Sequence, residues 1–220
     1  MVVTIDGMSA TGKSTLAFNL AKALGLKYLN SGSIYRCVAL KIMNNEIDPN
    51  NAEELFNKVV NLNIDFTIEE DNQKVFLDGI DVTYRIKDED VSVFTPKYAG
   101  LPILKTAIRQ IQKSFVDAGD VVIEGRDIGT IIAPDADYKF YLCAEIDVRA
   151  KRLFDAIKDR QDVTYEEVKS NLEARDQKDI IDKSFIKPKD ALEIDTTNLT
   201  IDEVLNIMLE YVKKWNRWRK

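Results

Sequence analysis

The 220-residue chain has 45% hydrophobic and 31% charged residues, the composition of an ordinary soluble globular protein, and is long enough for one large domain or a core with a small insert. Its net charge of −6 argues against a broad nucleic-acid surface, which needs clustered Lys and Arg, so its anion sites must be local. The absence of histidine removes histidine triads, metal ligands and proton shuttles, and Cys37 and Cys143 are too few and too far apart for a disulfide framework or a thiolate metal site.

The short apolar run Val2-Val3-Thr4-Ile5 reads as a strand. It leads into Gly7-Met8-Ser9-Ala10-Thr11-Gly12-Lys13-Ser14, a strict match to G-x-x-x-x-G-K-[ST], and Leu16 to Leu24 then reads as a helix. Strand, loop and helix in that order are the context the pattern requires. Successive backbone N–H groups and the positive end of the helix face an anion together, so Gly7 to Thr15 is expected to bind a nucleotide triphosphate. Gly7 and Gly12 permit backbone angles and a close approach that a side chain blocks. Lys13 is expected to reach the β- and γ-phosphates, and the Ser14 hydroxyl suits a Mg²⁺ ion bridging them.

Gly25 is placed to end the helix before a second short strand, Leu26 to Leu29. Asn30-Ser31-Gly32-Ser33 turns into a helix from Ile34 to Met43. Asn50 with Glu53 predicts a capped helix over 52–62, with Leu55, Val59 and Leu62 on one face. Alternation replaces helical spacing in Ile64 to Ile68 and in Val75-Phe76-Leu77, with Asp71-Asn72 as the turn between them and Val82 to Ile86 as a third strand. Residues 63–86 are therefore expected to form a small antiparallel sheet, an insert over the ligand site or a surface ornament.

Pro102 suits the first turn of a helix to Val116, whose face is Leu104, Ile108, Ile111 and Phe115. Val121-Val122-Ile123, Lys139 to Leu142 and Leu192-Glu193-Ile194 complete five candidate strands, although periodicity alone does not separate the longer apolar runs from buried helix. Between the last two lies a charged stretch with Arg149, Lys151, Arg152, Lys158, Arg160, Arg175 and Lys178, interrupted by the capping box Thr164-Tyr165-Glu166-Glu167. It reads as a solvated helix face, or as a lid over 149–190 that closes on phosphates. Thr200 and Glu203 cap a last helix whose stripe of Val204, Ile207, Met208, Tyr211, Val212 and Trp215 reads as core. The whole implies a single α/β domain over 1–220, a doubly wound five-stranded parallel sheet with its ligand at the carboxyl ends of the strands. With no leader-like N-terminus and no stretch near 18 apolar residues, a cytoplasmic location is expected, and a monomer because no extra apolar stripe remains once the predicted helices cover the sheet.

A phosphate loop does not by itself say whether the γ-phosphoryl group goes to water or to another molecule. Asn57-Lys58-Val59-Val60 lacks the Asp of the guanine-reading N-K-x-D pattern. Transfer to a phosphate acceptor needs fixed cations that hold two polyanions together, and Arg36 and Arg126 lie just beyond predicted strand ends. Each guanidinium suits bidentate phosphate binding or a surface ion pair.

Asn30-Ser31-Gly32-Ser33-Ile34-Tyr35-Arg36, Glu124-Gly125-Arg126-Asp127-Ile128-Gly129-Thr130 and Leu172-Glu173-Ala174-Arg175-Asp176-Gln177-Lys178-Asp179 resemble the signatures of bacterial cytidylate kinases. The likeness runs from the phosphate loop to Asp195-Thr196-Thr197-Asn198-Leu199-Thr200, and the three-stranded insert resembles one particular to that branch of the nucleoside-monophosphate kinases. The resemblance implies MgATP-dependent phosphorylation of CMP and dCMP. It implies that Ser31 and Asp127 meet cytosine, that Arg36 and Arg126 hold the acceptor phosphate, and that Arg175 and Asp179 contact the acceptor nucleotide, Asp179 at its sugar hydroxyls. Arg149 and Arg152 resemble lid cations that close on ATP. The chain departs from the pattern where the family usually has arginine at Lys105, serine at Pro96 and arginine at Asp182, with Thr95 and Lys183 as neighbouring substitutes. Rival readings are a kinase of another small acceptor, a nucleotide-driven switch using the 63–86 sheet as an interaction surface, and a nucleic-acid binder using the basic tail Arg217-Trp218-Arg219-Lys220.

Overall fold

A computed structural model describes residues 1–69, 72–159, 161–181 and 186–218, the side chains of 215–218 excepted. The chain forms two compact units, one of Met1–Leu24 with Val122–Lys220 and the other Gly25–Val121. In chain order the main elements are β1 (Val2–Gly7), α1 (Lys13–Leu24), β2 (Lys27–Asn30), α2 (Ser31–Met43), α3 (Ala52–Val60), β3 (Ile64–Glu69), β4 (Asn72–Leu77), β5 (Ile80–Asp81), α4 (Glu89–Ala99) and α5 (Pro102–Ala118). They continue with β6 (Val121–Gly125), β7 (Tyr138–Cys143), α6 (Ile146–Ile157), α7 (Tyr165–Ile181), β8 (Leu192–Asp195) and α8 (Ile201–Trp218). The five predicted strands form one sheet in the order β2-β6-β1-β7-β8. Val3, Ile5, Val121, Val122, Ile123 and Phe140 are fully buried, as near-continuous apolar runs covered on both faces must be.

In the first unit, β1 pairs in parallel with β7, Asp6 opposite Tyr141 and Gly7 opposite Leu142, and β7 pairs in parallel with β8. The predicted capping boxes form. Thr164 donates its N–H and hydroxyl to Glu167 at 2.8 and 2.9 Å, and Thr200 donates both to Glu203 at 2.8 Å. On α8, Val204, Met208 and Val212 are buried and Tyr211 meets the Phe140 ring edge-on at 5.7 Å, but Ile207 is exposed. The Trp215 side chain lies outside the described residues. Between α6 and α7, Ala150, Val168 and Leu172 form a small core with Leu153, Phe154 and Tyr165 packed on it.

In the second unit the local predictions shift by small steps. Asn30 caps α2 by accepting the Ser33 N–H at 3.1 Å, so Ser31 to Ser33 form the first helical turn rather than a loop before it. Asn51, not Asn50, caps α3 through the Glu54 N–H at 3.1 Å, and the Asn50 N–H is held by Asp48 at 2.9 Å. Strands β3 and β4 pair antiparallel from Ile64 opposite Leu77 to Glu69 opposite Asn72. The predicted turn residue Asp71 lies outside the described residues.

The third strand is not Val82 to Ile86 but the two residues of β5. Asp81 accepts the Thr83 N–H at 2.9 Å, the Thr83 hydroxyl accepts the Val75 N–H at 2.9 Å, and Ile86 N–H turns back to Val82 O at 3.0 Å. Side-chain bonds thus replace the ladder and curl the chain into a single helical turn at Arg85–Lys87. Helix α4 was not among the predicted elements. Pro96 sits inside it, lacking the N–H that would reach back one turn, while Val91 is fully buried.

Candidate active site

The phosphate loop takes its shape from the sheet. Gly7 has φ +146°, and a Cβ there would lie 2.1 Å from Leu142 O on the paired strand, so only glycine fits. Gly12 has φ +92° where the loop enters α1. The Thr11 hydroxyl donates to Met8 O at 2.9 Å and ties the loop to itself. Lys13, the first residue of α1, donates to Met8 O at 2.5 Å. Burial pushes its pKa down to about 8, aided by Arg126 and Arg175 and opposed by Glu124 and Asp6.

The Ser14 hydroxyl donates to Glu124 Oε1 at 2.6 Å. Glu124 is buried near the carboxyl end of β6. It had no assigned role in the sequence; the available signal was an acid closing an apolar strand. Its carboxylate and the hydroxyl are hard oxygen donors, a pair that fits a hard divalent cation.

Arg126 follows β6. It donates to Ser9 Oγ at 3.2 Å and pairs with Asp179 of α7, while burial and the nearby Arg175 charge lower its pKa. Asp127 begins the next turn, whose first two N–H groups are taken by Asp6: Ile128 N to Oδ1 at 2.9 Å and Gly129 N to Oδ2 at 2.7 Å. Arg175 is exposed on α7.

The charged stretch is not uniformly a solvated face. Arg149 is 4% exposed and donates to Ala144 O at 2.9 Å, Asp176 Oδ2 at 2.7 Å and Ser9 O at 3.4 Å. Arg152 grips the turn after β8, donating to Thr196 Oγ1 at 3.0 Å and Thr196 O at 2.6 Å. The buried Thr196 hydroxyl lies 3.3 Å from Thr11 O of the phosphate loop. Lys13, Ser14, Arg126, Arg149, Arg152 and Asp179 therefore converge on the loop or on the residues that hold it. Arg160, Asp182 and Lys183 lie outside the described residues.

The remaining predicted residues belong to the second unit. Ser31 is buried in the first turn of α2 and Arg36 is half-buried on the same helix. Lys105 is half-buried near the start of α5, and Pro96 is exposed on α4. The Thr95 hydroxyl donates to Val91 O at 2.7 Å.

Residues 3–214 match the cytidylate kinase family. Curated relatives include a cytidylate kinase of Thermotoga sp. (strain RQ2), 36% identical over 96% of each chain, and one of Thermosipho melanesiensis, 37% identical over 96% of each. The chain belongs to the cytidylate kinase family. It is accordingly a phosphotransferase on a nucleotide-binding phosphate-loop fold. A shikimate kinase structure from Bacteroides thetaiotaomicron shares that fold, with TM-score 0.50 and 12% identity over 97% of this chain and 98% of that one.

A cytidylate kinase needs little covalent help from its protein, since phosphoryl transfer rests on positioning and on charge placed where the phosphates react. The first unit carries groups suited to both. It has backbone N–H groups at a helix start, a buried ammonium, and a guanidinium whose orientation is held by Ser9 and Asp179.

Proposed function

We propose that this chain transfers the γ-phosphoryl group of ATP to CMP or dCMP, giving CDP or dCDP and ADP. The observation that carries the proposal is the joining of the Lys13 phosphate loop to Arg126 through Ser9, which sets a donor cation and an acceptor cation in one frame. Backbone N–H groups from Met8 to Thr15 and Lys13 take the ATP phosphates. Ser14 and Glu124 would hold Mg²⁺, which when bound neutralises charge on the donor phosphates.

In this reading Arg36 and Arg126 bind the acceptor phosphate, Arg126 exchanging one anionic partner, Asp179, for another. Ser31 and Asp127 read cytosine, the carboxylate accepting from the exocyclic amine and rejecting the uracil carbonyl. Asp179 and Arg175 contact the rest of the acceptor, and Lys105 offers it a point charge in place of a planar fork. Arg149 and Arg152 act on the donor site from within the fold, through Ser9 and Thr196. The two reduced cysteines fit the cytoplasm.

The test is purified protein with MgATP and, separately, CMP, dCMP, UMP and AMP, following ADP and the new diphosphate together. Matched ADP and CDP or dCDP, with UMP disfavoured, is the expected outcome, and Arg126→Ala should lower the transfer rate at least about 100-fold. ATP consumption without an acceptor, or near-normal transfer by the variant, overturns the assignment.

A further inference from the structure

Asp6 is a fully buried carboxylate in the strand that feeds the phosphate loop, yet none of the roles above uses it. Its two oxygens each accept one backbone N–H, from Ile128 at 2.9 Å and Gly129 at 2.7 Å. Those residues open a short helical turn over Ile128–Ile132, where unpaired N–H groups need an acceptor. Asp127 occupies the cap position, but its side chain makes no capping bond, so a carboxylate 122 residues away serves instead.

The contact is tight. A Cβ on Gly129 would lie 2.8 Å from Thr4 Oγ1, 2.9 Å from Pro188 and 3.1 Å from Asp6 Oδ2, so the turn rests directly on β1. The residues just before it, Arg126 and Asp127, are those assigned above to the acceptor phosphate and base.

We infer that Asp6 is a positioning residue, which sets Arg126 and Asp127 for the acceptor nucleotide by clamping the Ile128 and Gly129 N–H groups; the inference rests on the proposed acceptor site. Burial raises the Asp6 carboxyl to about 6, against the two N–H bonds that favour its charged form. The charged and titratable groups facing it are Lys13 at the start of α1, Asp127 in the turn and Tyr141 opposite it on β7. Protonation removes acceptor capacity from one oxygen, so the clamp weakens as pH falls through 6.

The experiment compares wild type with Asp6→Asn at pH 7.5. An amide keeps one acceptor but turns an NH₂ against the second N–H, displacing the turn. The expected result is an acceptor KM raised about tenfold or more, since small misplacements are costly, with the ATP KM within about twofold. A folded variant with unchanged acceptor KM, or with both KM values raised alike, overturns the inference. If the variant does not fold, NMR of the wild-type protein decides: the Ile128 and Gly129 amide resonances should follow the Asp6 carboxyl carbon through one common titration, and amides that do not move with that carboxyl overturn the clamp. Absence of CMP phosphorylation in wild type would sink the proposed function, while the amide titration still tests Asp6 by itself.

Discussion

Replacing Arg149 by Met would show that the buried cation is a cross-link within the fold. The methionine keeps the apolar stem but removes the donors to Ala144 O, Ser9 O and Asp176 Oδ2. Asp176 is itself buried, and its Oδ1 has no hydrogen-bond partner among the described residues, so the substitution leaves a carboxylate with no partner from Arg149 and little water. Removing one member of a buried pair costs about 3–5 kcal/mol, which for a chain of this size lowers Tm by roughly 6–20 °C.

Urea unfolding of wild type, Arg149→Met, Asp176→Leu and the double variant forms a complete cycle. The double variant should recover to within about 1–2 kcal/mol of wild type, because replacing both charges removes the desolvation problem. A single-variant loss below about 1 kcal/mol, or a double variant no more stable than the single, would refute this account of Arg149.

Two further outcomes concern the donor side. Lys13, lowered to about 8, regains its proton when phosphate replaces Met8 O as its partner, so ATP binding at pH 9 should take up more than about half a proton. Calorimetry in buffers of different ionisation enthalpy measures this, and equal heats in all buffers would exclude it. The stability sign is the reverse of that for a salt-bridged lysine: the depressed ammonium costs the unliganded fold roughly 3 kcal/mol below pH 8, a cost that disappears as pH rises towards 10.5. Glu124→Gln should weaken Mn²⁺ binding to the ATP complex about tenfold or more by paramagnetic resonance, with metal-free ATP binding little changed; unaltered Mn²⁺ affinity would remove Glu124 from the cation site.

Most of the core was legible because its signals are local. The phosphate loop carries its own glycines, lysine and flanking elements, and the capping boxes at Thr164 and Thr200 need only residues three apart. Errors arose where a neighbour competed for the same group. Asn51, which also has a Glu three residues on, capped α3 in place of Asn50, and Asp81 and Thr83 diverted the predicted third strand into a turn. Helix α4 had no predicted counterpart; it carries Pro96 in its interior, short of one helical hydrogen bond, and buries Val91.

The site divides along the same line. By itself the sequence determined a phosphate loop, five strands and the cations of a phosphoryl-transfer enzyme, since each depends on residue type and short spacing. Only the tertiary structure decided what those charges do. It buried Arg149 against Asp176, turned Arg152 onto Thr196, paired Arg126 with Asp179, set Glu124 on Ser14 and placed Asp6 beneath the Arg126-Asp127 turn. These partners are 27 to 122 residues apart, a separation over which no periodicity or cap operates, and burial makes each charge depend on the one group that folding brings beside it.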